Sequence, residues 1–190
     1  AIPVDQLVEC TGILQSDARA ELGLGGHRIV MLIGIVRDYK GLAFLGDVWP
    51  MLHSEDPDAE LHIVGKVAEQ SEDLSRLVDM DGVIVHDAWL PEGKFNQWAA
   101  AADVCVLPYE SGVHSGVLHR VVANATHVIV SPSLEEEASR YTNIPVVRLD
   151  PAAWVSAVLL AEGTEVPQPP EEATMGRDTV RFYNRICGTE

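Results

Sequence analysis

The sequence predicts an α/β domain, a doubly wound, mostly parallel six-stranded sheet with helices on both faces. Two observations lead to this prediction. Apolar runs of strand length recur along the chain, and helical patterns separate them over about 120 residues. The strand runs are rich in Val and Ile and are apolar at successive positions, which is typical of parallel strands that helices cover on both faces.

Six apolar runs are the predicted strands, and the segments between them are the predicted helices. The strands are RIVMLIGIV (28–36), ELHIVG (60–65), GVIVHDA (82–88), DVCVLPY (103–109), THVIVS (126–131) and IPVVRL (144–149). The helices are 41–55, 67–80, 91–102, 115–125, 133–141 and 150–162. Pro50 falls inside the first helix and predicts a bend or a division there.

The chain divides into three regions by composition. Residues 1–162 carry the strand and helix alternation and form the predicted domain. Residues 163–173 are rich in Pro and acidic residues and read as a linker. Residues 174–190 read as a C-terminal helix that packs back on this domain or on a domain outside these 190 residues.

The charge of the chain excludes some classes of partner. The formal net charge is −16, so neither nucleic acid nor an anionic lipid surface is an expected partner. No apolar run approaches the roughly 20 residues that span a bilayer, and no basic, apolar leader opens the chain. The three cysteines are widely spaced and odd in number, so they form no disulfide framework, which fits a reducing cytosol. Neither the cysteines nor the histidines have metal-ligand spacing, which predicts no bound metal.

The loop after the first strand, GIVRDYKGL, concentrates groups that can bind an anion. Gly34 and Gly41 flank Arg37 and Lys40, and a helix N-terminus with free N–H groups follows. This arrangement predicts a phosphate or diphosphate site. The alternative is that both cations are solvated loop charges paired with Asp38. The sequence has neither a Walker motif nor GxGxxG, which disfavours P-loop and dinucleotide sites.

Three blocks of sequence together resemble a known family. They are LGLGGHRIVMLIGIVRDYKGL, ELHIVGK and AAAADVCVLPYESGVHSGVL, in that order. The chain from about residue 1 to about residue 162 resembles the C-terminal, donor-binding domain of retaining glycosyltransferases with the GT-B fold, the group 1 or glycogen-synthase-like family. That resemblance implies a Rossmann-like nucleotide-sugar-binding domain.

The resemblance also implies roles for residues of the first and fourth strand ends. Arg37 and Lys40 would bind the donor diphosphate and stabilise it as it leaves, without a metal. Ser115 and Gly116 would hold the distal phosphate at a helix N-terminus. Glu110 is the nearest match to the first glutamate of the family's paired-glutamate motif and would contact the donor sugar.

Further residues would complete the donor site. Gly65 and Lys66 would lie near the nucleotide, and Ala88 and Trp89 stand where the family reads the base. For Trp89, a place in the core or at the rim is the alternative. His114 lies in the loop that would face the sugar, with an ordinary surface position as the alternative.

Some positions depart from the family pattern and support a different function. In the register set by Gly116, Val121 stands where many members carry a second glutamate for the ribose. Three acidic residues, 135–137, follow the fifth strand where a loop near the donor would avoid charge. These departures favour a degenerate, non-catalytic domain with a structural or interaction role. Another two-domain sugar-nucleotide enzyme, such as a 2-epimerase, would need acid–base groups that the sequence does not identify.

Taken together, the resemblance implies a hexosyl transfer from a UDP- or GDP-sugar to an alcohol acceptor with retention of configuration. The nucleotide sugar is a substrate, so no cofactor is expected. The family binds its acceptor with an N-terminal domain that these 190 residues cannot contain, so the isolated chain is expected to be inactive. A cytoplasmic location is expected, with any contact to the membrane surface made through that missing half.

Overall fold

A five-stranded parallel sheet lies at the centre of the computed structural model, which describes residues 11–112 and 115–168. The strands are β1 (Ile29–Ile33), β2 (Glu60–Val64), β3 (Val83–His86), β4 (Val104–Leu107) and β5 (His127–Val130). Their order is β3-β2-β1-β4-β5, and every neighbouring pair is parallel. The chain therefore winds outward from β1 in both directions, which confirms the predicted doubly wound α/β class.

The prediction of a sixth strand over 144–149 is wrong. This segment meets β5 at a single parallel bridge, between Val130 and Val146. Val130 N–H donates to the Pro145 carbonyl at 3.1 Å and Val147 N–H donates to the Val130 carbonyl at 2.8 Å. The pairing stops there because Pro145 has no N–H to donate and Asn143, two residues before it, is left-handed, with φ +59°.

Helices cover both faces of the sheet. They are α1 (Gln15–Leu22), α2 (Leu42–Glu55), α3 (Glu72–Val78), α4 (Glu92–Ala101), α5 (Gly116–Ala123), α6 (Glu135–Ala138) and α7 (Pro151–Leu160). Val30 and Leu32 of β1 face α2, α3 and α7, whereas Ile29, Met31 and Ile33 face α4, α5 and α6. Because all five β1 side chains are buried, the strand is apolar throughout, as the sequence predicts.

The helices differ from the predicted ones in three respects. Helix α2 includes Pro50 without being divided. Helix α3 begins only after Ser71, whose hydroxyl accepts a hydrogen bond from the Leu74 N–H, because Val67 pairs with Val36 in extended conformation. The predicted helix over 133–141 is a 3-10 turn followed by the short α6.

The C-terminal part of the chain is described only as far as residue 168. Within the predicted linker, the Thr142 N–H donates to the Gln168 carbonyl at 3.1 Å. The remainder of the linker and the predicted helix over 174–190 lie outside the described residues. In the described part of the chain, no helix has the length and apolar character needed to cross a membrane.

Glycines allow the loops at the carboxyl edge of the sheet to touch. Gly65, after β2, has φ +143°, and a Cβ added to it would lie 2.1 Å from the Gly34 carbonyl oxygen. Gly41, before α2, has φ +81°, and a Cβ there would lie 2.2 Å from the Pro108 carbonyl oxygen. The loops after β1, β2 and β4 are therefore in backbone contact, which only glycine at these two positions permits.

The Gly65–Gly34 contact can be tested by adding a methyl group. Gly65→Ala should lower the free energy of unfolding by about 2–4 kcal/mol, since it combines a strained φ with a backbone clash. Gly93→Ala is the matched control, because nothing lies within 4 Å of a Cβ added at that helical position. Urea denaturation measures both. A Gly65→Ala variant as stable as the wild type would contradict the close approach.

A pair of stacked histidines lies on the sheet between β2 and β3. The His62 and His86 ring centroids are 5.3 Å apart, and His62 Nδ1 lies 3.1 Å from His86 Nε2. The Trp98 ring packs on His86 at 4.4 Å. Burial, and next the charge of His62, lower the pKa of His86. The folded protein therefore favours the neutral His86 ring.

This pair predicts a loss of stability in mild acid. The unfolded chain binds more protons than the folded one between the ordinary histidine pKa of about 6.5 and the lowered folded value, so stability declines as pH falls through that window. Urea unfolding at pH 7.5 and 5.5 should show a smaller decline for His86→Gln than for the wild type. His27→Gln, at an exposed position, is the control and should keep the wild-type decline. Equal declines in all three proteins would contradict the assignment.

Candidate functional site

The loop after β1 sends its two cations to different environments. Val36 N–H donates to the Lys66 carbonyl at 2.9 Å, which fixes this loop beside the loop after β2. Arg37 is extended and exposed, and a 3-10 turn over Asp38–Lys40 follows it. This turn carries Lys40 back beneath the loop, where its side chain is buried.

Lys40 is a buried cation at the end of β1. It is 4% exposed, its Nζ donates to the Ile33 carbonyl at 3.3 Å, and it lies 5.4 Å from the centre of the Tyr109 ring. No carboxylate within the described residues forms an ion pair with it. Burial, and next the positive charge of Arg37, lower the pKa of Lys40 to about 8. The position is thus one where an anion would relieve an uncompensated charge.

The alternative reading of this loop fits only one of its cations. Arg37 is solvent-exposed, as a loop charge would be, whereas Lys40 is not solvated. Asp38 forms no ion pair with either of them in the described part of the chain. The reading of Lys40 as a solvated loop charge paired with Asp38 is therefore wrong.

The loops after β2 and β3 carry a matched pair of charges. Lys66 Nζ lies 3.0 Å from Oδ1 of Asp87, and both side chains are exposed. Asp87 also accepts the Val67 N–H at 2.9 Å. That N–H, and next the Lys66 ammonium, lower the pKa of Asp87. Lys66, which follows Gly65 at this edge, therefore has its charge already compensated by Asp87.

Ala88 and Trp89 follow Asp87 on the same edge. Both are exposed, and Trp89 is 72% exposed. The Ala88 N–H donates to the His86 carbonyl at 3.0 Å, so this amide is occupied. Trp89 is therefore not a core residue. Base stacking and a place at the rim both remain for it.

The end of β4 packs an aromatic side chain beneath Lys40. Tyr109 is buried, and its ring meets that of Tyr39 edge-on at 5.7 Å. Burial raises the pKa of Tyr109, so its hydroxyl stays protonated. Glu110 follows it and is exposed, and its N–H donates to the Tyr39 carbonyl at 2.9 Å. His114, the other candidate of this loop, lies outside the described residues.

Helix α5 begins beside this aromatic pair. Ser115 is its buried N-cap, and its hydroxyl accepts the Leu118 N–H at 3.3 Å. Gly116 is the first helical residue and is exposed. A Cβ added to Gly34 would lie 3.1 Å from Lys40 Nζ and 2.9 Å from the Val117 side chain. The helix start and the buried lysine therefore meet at Gly34.

The position predicted to lack a ribose ligand is a core position. Val121 is completely buried in the cluster between the sheet and α4, α5 and α6. A glutamate there could not reach a ligand without leaving the core. The polar side chains on α5 near this position are His119 and Arg120, and both are partly buried. Arg120 stacks on Phe95, with 3.5 Å between its Cζ and the ring centre.

Sequence reasoning missed three side chains of this region. Tyr109 and Asp87 each stand next to a residue that the sequence predicts for the site. Only the burial of Tyr109 and the pairing of Asp87 with Lys66 mark them as part of it. Glu137 lies in the acidic run after β5, and its Oε2 accepts the Ser115 N–H at 2.5 Å. The acidic run itself was a signal, although its charge alone does not indicate a contact 22 residues away.

Another concave part of the surface is less suited to an anion than this edge. A cavity of about 630 Å³ lies between α6 and the segment 141–146, and Glu135 and Glu165 line it. Its carboxylates make it a poor place for an anion. In the described residues, no group of three or more His, Cys, Asp or Glu side chains could hold a metal ion.

Comparison with solved structures gives the fold relatives. The C-terminal domain of a glycosyl transferase group 1 family protein (LpcC) from Francisella tularensis has a TM-score of 0.66 at 13% identity, covering 84% of this chain and 87% of that one. A trehalose 6-phosphate synthase from Burkholderia multivorans has a TM-score of 0.63 at 14% identity, covering 77% and 37%. An E. coli trehalose-6-phosphate protein bound with UDP-2-fluoro glucose has a TM-score of 0.63 at 13% identity, covering 80% and 40%.

The chain thus spans less than half the length of the two trehalose proteins. No curated protein sequence matches it. A family model, described as glycosyl transferases group 1, matches residues 27–161, which is more than half of the chain and includes β1–β5, the loops at their carboxyl ends and α7. The chain belongs to the group 1 glycosyl transferases.

Proposed function

We propose that this chain is the donor-binding domain of a two-domain enzyme that transfers a hexosyl group from an NDP-sugar to an alcohol acceptor with retention. The observation that carries the proposal is Lys40, a buried ammonium group without a carboxylate partner among the described residues. Burying an unpaired charge is unfavourable, so a bound diphosphate would give this group the partner that the protein does not.

The proposed chemistry is stabilisation of a leaving group. Cleavage of the bond between the sugar and the diphosphate leaves negative charge on the distal phosphate. Lys40 and the amide of Gly116 would neutralise that charge in a site that the fold has already organised. Arg37, at the exposed rim of the same loop, would bind from the solvent side. The acceptor would come from a domain outside these 190 residues, so this chain alone would transfer nothing.

The remaining candidates would contact the ends of the donor. Trp89 presents an open aromatic face on which a base could stack, next to Ala88, Gly65 and Lys66. Glu110 is exposed beyond Tyr109, where it would orient the sugar, together with His114 of the same loop. A UDP- or GDP-sugar satisfies this arrangement equally well. The E. coli relative bound with UDP-2-fluoro glucose supports UDP as the first nucleotide to test.

A degenerate, non-catalytic domain is the second candidate. Two observations favour it. Val121 lies in the core and supplies no ribose ligand, and the Lys66–Asp87 pair leaves no unpaired lysine charge at the nucleoside end. Lys40 opposes it, because a domain without an anionic ligand gains nothing from a buried ammonium group. Binding of a nucleoside diphosphate distinguishes the two candidates.

Replacing Lys40 should greatly weaken the binding of a nucleoside diphosphate. Titration calorimetry with UDP and GDP should show binding to the wild type and about a 100-fold loss in Lys40→Met, from one lost charge-assisted contact in a buried site. Arg37→Ala should weaken binding by no more than about fivefold, because its contact is exposed to solvent. Lys94→Ala, which removes an exposed cation from α4, is the charge-matched control and should bind normally.

The stability of Lys40→Met separates a binding defect from misfolding. Since the variant removes an uncompensated buried charge, it should unfold at a urea concentration no lower than the wild type. Absence of UDP and GDP binding at millimolar concentration, or unchanged affinity in Lys40→Met, would refute the proposed donor site.

The affinity should also depend on alkaline pH. Only the protonated Lys40 attracts a diphosphate, and its pKa in the free protein is about 8. The affinity for UDP should therefore be about tenfold weaker at pH 9 than at pH 7. Lys40→Arg remains protonated throughout this range, so any residual binding should lose the pH dependence. If the affinity of the wild type for UDP did not change between pH 7 and pH 9, Lys40 would be excluded as the phosphate ligand.

A further inference from the structure

Glu137 is a buried carboxylate that contacts the start of α5. It is 2% exposed, although the two acidic residues before it on α6 are exposed. Its Oε2 accepts the Ser115 N–H at 2.5 Å, and its Oε1 lies 2.7 Å from Nε2 of His119. Tyr141 contacts the other ring nitrogen of His119. Both carboxylate oxygens are therefore bonded, and the side chain is fixed from two sides.

These contacts divide the amides at the start of α5. The Ser115 N–H is taken by Glu137 and the Leu118 N–H by the Ser115 hydroxyl. The N–H groups of Gly116 and Val117 have no acceptor among the described residues. Val117 also adjoins Gly34, which lies next to Lys40 Nζ. The start of α5, whose first two N–H groups lack an acceptor among the described residues, and the buried Lys40 ammonium group thus both lie next to Gly34.

We propose that Glu137 is a positioning residue of the donor site. It anchors the N-cap of α5 through the Ser115 amide, and so directs the next two amides, with Lys40, toward the distal phosphate of a nucleoside diphosphate. This inference rests on the proposed function and names a residue that acts through α5 rather than by touching the donor. It also assigns the Ser115 amide to Glu137, leaving the Ser115 hydroxyl as the N-cap.

The Glu137 carboxylate could instead oppose diphosphate binding, and substitutions would then change the affinity in a different way. If its negative charge repelled the phosphate or held the phosphate's place, removing the charge would strengthen diphosphate binding. If it positions α5, what matters is the reach of its oxygen to the Ser115 amide. Charge and reach can be changed separately: Glu137→Gln keeps the reach and removes the charge, and Glu137→Asp keeps the charge and shortens the reach.

Calorimetry on the full chain tests the inference by comparing UDP with UMP, which lacks the distal phosphate. If the wild type binds guanine nucleotides more tightly, GDP and GMP replace them. Glu137→Asp should bind UDP about tenfold more weakly, since a charge-assisted hydrogen bond is lost, while its affinity for UMP should stay unchanged. Glu137→Gln should keep a UDP-to-UMP ratio within about threefold of the wild type, because its amide oxygen accepts the same N–H. Glu136→Asp and Glu136→Gln are matched controls on the exposed side of α6 and should behave as wild type.

Each other outcome overturns the inference in a distinguishable way. Tighter UDP binding by Glu137→Gln would show repulsion by the carboxylate. Equal weakening of UDP and UMP in Glu137→Asp would show a general structural defect, which thermal unfolding would detect. Unchanged UDP binding in Glu137→Asp, with loss in Lys40→Met, would refute the role of Glu137 and leave the donor site intact. A wild type that binds neither nucleotide would refute both proposals.

Discussion

The site depends on one unfavourable interaction, the burial of the Lys40 ammonium group at the end of a strand that is apolar throughout. The Ile33 carbonyl and the Tyr109 ring surround that charge, but a carbonyl and a ring face stabilise a cation less than a carboxylate does. The loop can hold the lysine there because Gly41 approaches the Pro108 carbonyl more closely than any other residue could. The same backbone contact joins the loop after β1 to the end of β4, so the lysine and the aromatic pair form one structure.

The acidity of the chain makes this lysine more informative. Two other cations with little exposure have carboxylate partners: Arg19 pairs with Asp103 at 2.6 Å and Arg28 with Asp56 at 2.8 Å, both with 16% of the arginine side chain exposed. With a net charge of −16, the chain offers acidic side chains in excess. A cation more deeply buried than these, and without such a partner in the described residues, is therefore not explained by a shortage of carboxylates. An anionic ligand is the explanation that the proposed function supplies.

The sequence predicts the sheet well and the site only in part. The β1 pattern predicts the buried strand, and the glycines after it predict a loop that packs closely at its end, because both signals are local. The sixth strand was wrong because Pro145, although visible in the apolar run, has no N–H to donate, so the segment meets β5 at a single bridge. The acidic run 135–137 suggested repulsion of a donor, yet one turn of helix separates its members into exposed residues and the buried Glu137. Its contact with Ser115 joins α6 to the start of α5, and such a pairing has no periodic signature in one sequence.

The two ends of the proposed donor site differ in how far this chain organises them. At the phosphate end, the cation is buried, the amides of Gly116 and Val117 are free within the described residues, and Glu137 holds the helix start in place. At the nucleoside end, Lys66 is matched by its aspartate and Trp89 stands open to solvent. Electrostatic attraction in a buried site exceeds that at an exposed one, so the diphosphate should contribute more to binding here than the base. A domain outside these residues would then have to cover the exposed end for the nucleoside to be fully enclosed.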